Sequence, residues 1–246
     1  MKEIMNIKEA VDHRKFNAGH RQRVRERFLT CRSSMKDYEI LEMALFLAIS
    51  RQDTKGIAKI LMNKFKSLAN IINADEEQLR GIDGVGDSII CAIKLFHEVH
   101  LRMLRENIRK YDPKLSNLDE VVEYCKAKIG HLVREEVLIL FVNNASRLVC
   151  EDIINTGNVN EVNVNKGMII VKAVQNGAAG IIMVHNHPSG NPNPSENDKE
   201  LTKSMFKLLK EVKLDLFDHI IVSNNKIYSF CRSGLLNKIK SLGPMI

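Results

Sequence analysis

From Tyr38 to Ile49 apolar residues crowd almost every turn, with Ile40, Leu41, Met43, Ala44, Leu45, Leu47 and Ala48 set as in a mostly buried helix. Helical spacing continues from Ile57 to Phe65, and Asp75 to Arg80 adds a short segment. Gly81-Ile82-Asp83-Gly84-Val85-Gly86 then leads into Ile89, Ile90, Ala92, Ile93, Leu95 and Phe96, the start of a long helix towards Arg109. The front of the chain therefore reads as all-α, with two helices joined by a glycine hairpin. Periodicity breaks at Arg109-Lys110-Tyr111-Asp112-Pro113-Lys114, where proline and charge predict a boundary between domains 1–113 and 114–246.

Beyond that break the pattern changes character. A helix is predicted from about Leu118 to Lys128, capped by Asn117. The run Val137 to Val142 is short and apolar, ends in Asn143-Asn144 and restarts at Arg147 to Cys150, which reads as a hairpin. A helix over Lys166–Gln175 precedes a buried strand, Gly180 to Val184, that ends in His185-Asn186-His187. A loop rich in Pro, Gly and Asn follows, then an amphipathic helix from Lys199 to Val212. Strands at His219 to Val222 and Lys226 to Phe230 are joined by a turn at Asn224-Asn225. Strands interleaved with helices imply an α/β domain, a sheet with helices packed on it.

The 246 residues suffice for two modest cores. No stretch approaches the roughly 18 to 20 apolar residues of a membrane span, and Met1 to Ala10 has no signal-peptide core, so a cytosolic protein is expected. The five cysteines, Cys31, Cys91, Cys125, Cys150 and Cys231, are spaced neither as a zinc knuckle nor as a redox pair. Net charge is +7 and lies mainly in front: residues 1–113 hold 21 Lys and Arg against 16 Asp and Glu, the remainder 16 against 14. Arg21, Arg23, Arg25 and Arg27 form the densest basic run, suited either to nucleic-acid phosphates or to a solvated helix face.

Strand side chains alternate, so His185 and His187 project to one side and can grip one ion. Asp198, eleven residues after His187, can return through the Pro188 to Pro194 loop as a third ligand, leaving a fourth position for water as catalytic zinc requires. With 8 His, 14 Ser and 12 Asp in the chain, the pattern H-x-H-x7-S-x2-D is expected by chance in fewer than about one in a thousand such sequences. Ser195-Glu196-Asn197-Asp198 also reads as a capping box opening the next helix, which explains Ser195 and Asp198 but not the paired histidines. H-E-x-x-H is absent, as is H-x-E with a later P-C-x-x-C, which disfavours zincin proteases and nucleobase deaminases. His219 opens a strand, but nothing in its spacing requires it as a ligand, and it reads as a structural histidine.

The stretch His185-Asn186-His187-Pro188-Ser189-Gly190 through Pro194-Ser195 to Asp198 resembles the JAMM motif of MPN+ metalloproteases, in the form found in bacterial RadC proteins. The likeness extends to the front, where Leu79 to Leu95 matches a helix-hairpin-helix. The resemblance implies a cytidine-deaminase-like α/β/α domain with a mixed sheet, preceded by an all-α helix-hairpin-helix domain. It also implies one zinc per chain, held by His185, His187 and Asp198, and a glutamate base in Arg134-Glu135-Glu136-Val137. Counting back from Arg147 favours Glu135, with Glu136 as the neighbouring alternative. The chain departs from the family at Asn143-Asn144, where an aspartate is usual, and at Ser146-Arg147; neither change touches the metal.

The expected activity is hydrolysis of an amide or isopeptide bond in a protein or peptide, with Glu135 as base and the Ser195 hydroxyl steadying the oxyanion. The competing readings are a DNA-associated module in which the zinc domain is a scaffold, and a zinc-stabilised interaction scaffold. Gly84 and Gly86 would let backbone N–H groups approach a phosphate, but Asp83 and Asp87 flank them and oppose an anion.

Overall fold

The computed structural model describes residues 19–50, 54–110, 118–145, 147–155, 165–223 and 226–241. The cap at Asn117, the boundary at Pro113, Ser146 and the Asn224-Asn225 turn lie outside these residues. The chain divides between His100 and Leu101 into two compact units.

The first unit is all-α. Helix α1 covers 19–31, followed by α2 (Asp37–Ala48), α3 (Lys55–Phe65), α4 (Leu68–Asn73), α5 (Glu76–Arg80) and the opening turns of α6 (Asp87–Lys110). Its core joins Leu41 and Leu45 to Ala58, Leu61, Ile71, Leu79, Ile89 and Ile93, the apolar positions that set the helical periodicity. Asp75 opens α5 by accepting from the Gln78 amide. Gly84, at φ 84°, turns the chain from α5 into α6 in a region of backbone space that favours glycine. Helix α4, with only Ile71 buried, gives too short a periodic signal to stand out in the sequence.

The second unit is a three-layer α/β/α sandwich on one mixed sheet. The strands are β1 (Glu136–Val142), β2 (Leu148–Asn155), β3 (Gly180–Asn186), β4 (Asp215–Ser223) and β5 (Lys226–Ser229), in the order β2-β1-β3-β4-β5. Only β3 and β4 are parallel, linked through helix α9 (Glu196–Glu211). Alternation sorts the central strands between two cores. Val137, Ile139, Phe141, Ile181 and Met183 face α8 (Lys166–Gln175), α9 and α10 (Leu235–Ser241). Leu138, Leu140, Val142, Ile182 and Val184 face α7 (Leu118–Ile129).

One register shift decides what the sheet presents near its end. Ile181 pairs with Leu216, but Ile182 pairs with Asp218, leaving Phe217 as an extra residue in β4. A bulge reverses alternation beyond it. Leu216 and Ile221, of opposite parity, consequently both reach the α9 core, and His219 shares the face of Ile221.

Candidate metal centre

Strand β3 extends through Asn186, further than its apolar run predicts, so both histidines stand at its C-terminal edge. Being odd-numbered like Ile181 and Met183, His185 belongs to the face covered by α9. Helix α9 begins at Glu196 rather than Lys199, because Ser195 caps it: Ser195 Oγ accepts from the Asp198 amide at 3.1 Å, and Asp198 Oδ2 accepts from the Ser195 amide at 2.7 Å. The capping box is formed, and the same carboxylate also faces the two histidines. Oδ2 lies on the cap and Oδ1 lies 3.1 Å from Nε2 of His185.

His185, His187 and Asp198 each offer one donor atom within 4.8 Å of the others. The two Nε2 atoms are 2.9 Å apart, and His187 Nε2 is 3.6 Å from Asp198 Oδ2. Ligand atoms about 2.0–2.1 Å from a tetrahedral zinc stand about 3.3–3.4 Å from each other, so the spacing suits such an ion. His187 Nδ1 is 2.7 Å from the Asn191 carbonyl, which only accepts, so Nδ1 carries a proton and Nε2 is the nitrogen that faces the cluster. Ser195 donates to Asp198 Oδ2 from both its amide (2.7 Å) and its hydroxyl (2.6 Å), which favours the ionised carboxylate. An ionised carboxylate and imidazole nitrogens form a donor set of the kind zinc takes.

Asn186 points to the opposite face. Its Nδ2 donates to the carbonyls of Leu132 (3.0 Å) and Arg134 (2.9 Å), and its Oδ1 accepts from the Glu136 amide at 2.7 Å. It thereby pins the segment entering β1 to the strand that carries the histidines. Val137 pairs with His185 as the last pair of the β1–β3 ladder, and Glu136 and Glu135 lie just before it on the chain. Glu135 is exposed, and its charge, after the Asp198 hydrogen bond, helps raise the pKa of His187. Glu136 Oε2 is buried with no hydrogen-bond partner among the described residues, and burial raises its carboxyl pKa.

Ser195 reaches the cluster, but its hydroxyl donates to Asp198 Oδ2 at 2.6 Å. His219, read from the sequence as structural, is fully buried, stacked on Phe230, with Nε2 2.8 Å from Nδ1 of His185. Thr202, which no motif marks, stands 2.6 Å from the other nitrogen of His219.

A model of the RadC-like JAB domain matches residues 115–235, and a helix-hairpin-helix motif matches residues 54–102. The chain is 36% identical over 229 residues to UPF0758 protein FN0909 of Fusobacterium nucleatum subsp. nucleatum, covering 90% of this chain and 99% of that protein. The chain belongs to the RadC family. The resemblance carried by the histidine motif therefore holds along most of the length, and the RadC-like domain fits the JAMM class.

In the helical unit the basic run separates into two kinds of residue. Arg21 donates to the carbonyls of Ile49 (2.7 Å) and Ser50 (3.0 Å) and lies over the Phe46 ring, while Arg27 pairs with Glu39 at 2.7 Å. Arg23 and Arg25 are exposed, as are Arg27, Gly84 and Gly86, and the Arg25 guanidinium lies 6.0 Å from the centre of the Phe46 ring. Asp87 is engaged by Arg80 at 2.6 Å. No helix among the described residues is long and apolar enough to cross a membrane.

Proposed function

We propose that this RadC family chain is a zinc-dependent hydrolase of the JAMM type, cleaving an amide or isopeptide bond in a protein or peptide. The observation that carries the reading is the convergence of His185, His187 and Asp198 on one point at the open end of β3. The catalytic domain would be residues 114–246, a division supported by the family match beginning at residue 115, with 1–113 as a helical accessory domain. Five free thiols suit a reducing compartment, and we place the protein in the cytosol.

Zinc held by these three residues would acidify water and polarise the substrate carbonyl. Glu135, whose charge acts on His187, would take the proton of the attacking water and return it to the leaving amine. Glu136 is the neighbouring alternative for that role. The Ser195 hydroxyl would turn from Asp198 Oδ2 to the developing oxyanion, its cap on α9 keeping it in reach.

Glu135→Gln keeps the shape and removes the base. The variant should retain zinc and lose turnover by about 10²–10⁴-fold. Because it would hold its substrate without releasing product, capture of cellular proteins on Glu135→Gln, identified by mass, followed by chelator-sensitive cleavage of the captured protein by wild type, tests the activity. Full activity in Glu135→Gln, or cleavage that survives a chelator, contradicts the proposal.

A second reading, DNA association through the front unit, is favoured by the helix-hairpin-helix match. Exposed Arg23 and Arg25 would contribute to it more than Arg21 and Arg27, which are engaged within their own unit. Gly84 and Gly86 would contribute backbone contacts to a phosphate.

A further inference from the structure

Thr202 lies four residues beyond Asp198 on α9 and is fully buried. Its Oγ1 is 2.6 Å from the backbone carbonyl of Asp198 and 2.6 Å from Nδ1 of His219. A carbonyl oxygen only accepts, so the single hydroxyl proton goes to Asp198. Oγ1 must then accept from His219, which places the His219 proton on Nδ1. His219 is buried and stacked on Phe230, with the Thr202 hydroxyl at one nitrogen and the His185 imidazole at the other. Its Nε2 is consequently an acceptor. His185 Nδ1, 2.8 Å away, supplies the proton, which leaves His185 Nε2 as the nitrogen facing Asp198 Oδ1 and His187.

We propose that Thr202 and His219 are positioning residues, a hydroxyl-to-imidazole relay that locks His185 in the tautomer whose Nε2 lone pair points at the metal position. The relay runs from the backbone of one ligand, Asp198 on α9, through β4, to the ring of another, His185 on β3. It thus fixes the orientation of His185 relative to the helix that carries the carboxylate. His187 takes its own tautomer from the Asn191 carbonyl, so two independent devices aim the two imidazoles. The bulge at Phe217 makes the relay geometrically available: unbroken alternation from Leu216 would turn His219 to the face of α7.

The proposal rests on the metal reading of His185, His187 and Asp198, and zinc affinity of the full chain, measured by competition with a chelator, separates the two. Thr202→Val keeps the shape and removes the hydroxyl; it should weaken zinc binding by about 10–100-fold. Thr202→Ser restores the hydroxyl and should restore wild-type affinity. His219→Phe retains an aromatic ring against Phe230 but removes the acceptor, and should weaken binding likewise; it gives the same answer if Thr202→Val does not fold. Melting of each metal-free variant identifies loss that is merely structural. Wild-type zinc affinity in folded Thr202→Val or His219→Phe overturns the relay. So does Thr202→Ser binding as weakly as Thr202→Val, since packing rather than the hydroxyl would then be at fault. A wild-type chain that takes up no zinc is a different result, the failure of the metal reading itself, and the relay falls with it.

Discussion

Asn186 sits between two histidines and serves the segment across from them. Its three hydrogen bonds hold residues 132–136 against β3, and Glu135 lies in that segment. Asn186→Ala leaves one buried amide and two carbonyls without their partner and should lower stability by about 1–3 kcal/mol in chemical denaturation. On the proposed function, with Glu135 as base, it should also reduce turnover while zinc remains stoichiometric. Equal activity in Asn186→Ala would remove Asn186 from this account. The residues that bear chemistry by type and spacing, the histidine pair and Asp198, were legible in the sequence. Counting back from Arg147 favours Glu135 over Glu136, and the β1–β3 ladder, which ends at Val137, assigns neither of them a face. Thr202 and His219 were hidden: a buried threonine and a strand histidine have no distinguishing spacing, and their role exists only as contacts between α9, β4 and β3.

At the scale of elements, the helices and central strands follow periodicity closely, Lys166–Gln175 to the residue, because each buries a clear face. The start of α9 and the bulge in β4 do not follow from apolar spacing; polar caps and sheet pairing set them. Gly180 is the tightest point of the β3–β4 pair, where an added Cβ would sit 2.2 Å from the Asp215 carbonyl oxygen and 2.8 Å from the Phe217 ring. Gly180→Ala should therefore cost about 1–3 kcal/mol, read by denaturant unfolding, as β4 moves aside. A variant as stable as wild type would show that the strand pair yields more easily than this contact implies. Ser195→Ala should cost about 0.5–2 kcal/mol through the lost cap, so its effect on activity must be compared with its effect on melting.

Across the molecule, charge and chemistry are divided. Residues 1–113 carry most of the positive excess, and the cluster of His185, His187 and Asp198 lies wholly in the second unit. If the first unit holds DNA through phosphates, affinity should fall steeply with salt, and Arg23→Ala with Arg25→Ala should flatten the slope of log K against log salt by about 2. Binding indifferent to salt would exclude a phosphate-led mode. The two-part organisation was visible in the change from helical to mixed periodicity. The place of the division was less so, because α6 runs unbroken from Asp87 to Lys110 across the point where contacts separate. The account as a whole depends on three side chains binding one ion. Elemental analysis of the purified full chain after zinc loading and removal of free metal tests that most directly. One zinc per wild-type chain and none in His187→Ala is the predicted result; zinc retained at the wild-type level in His187→Ala, or none in wild type, would contradict it.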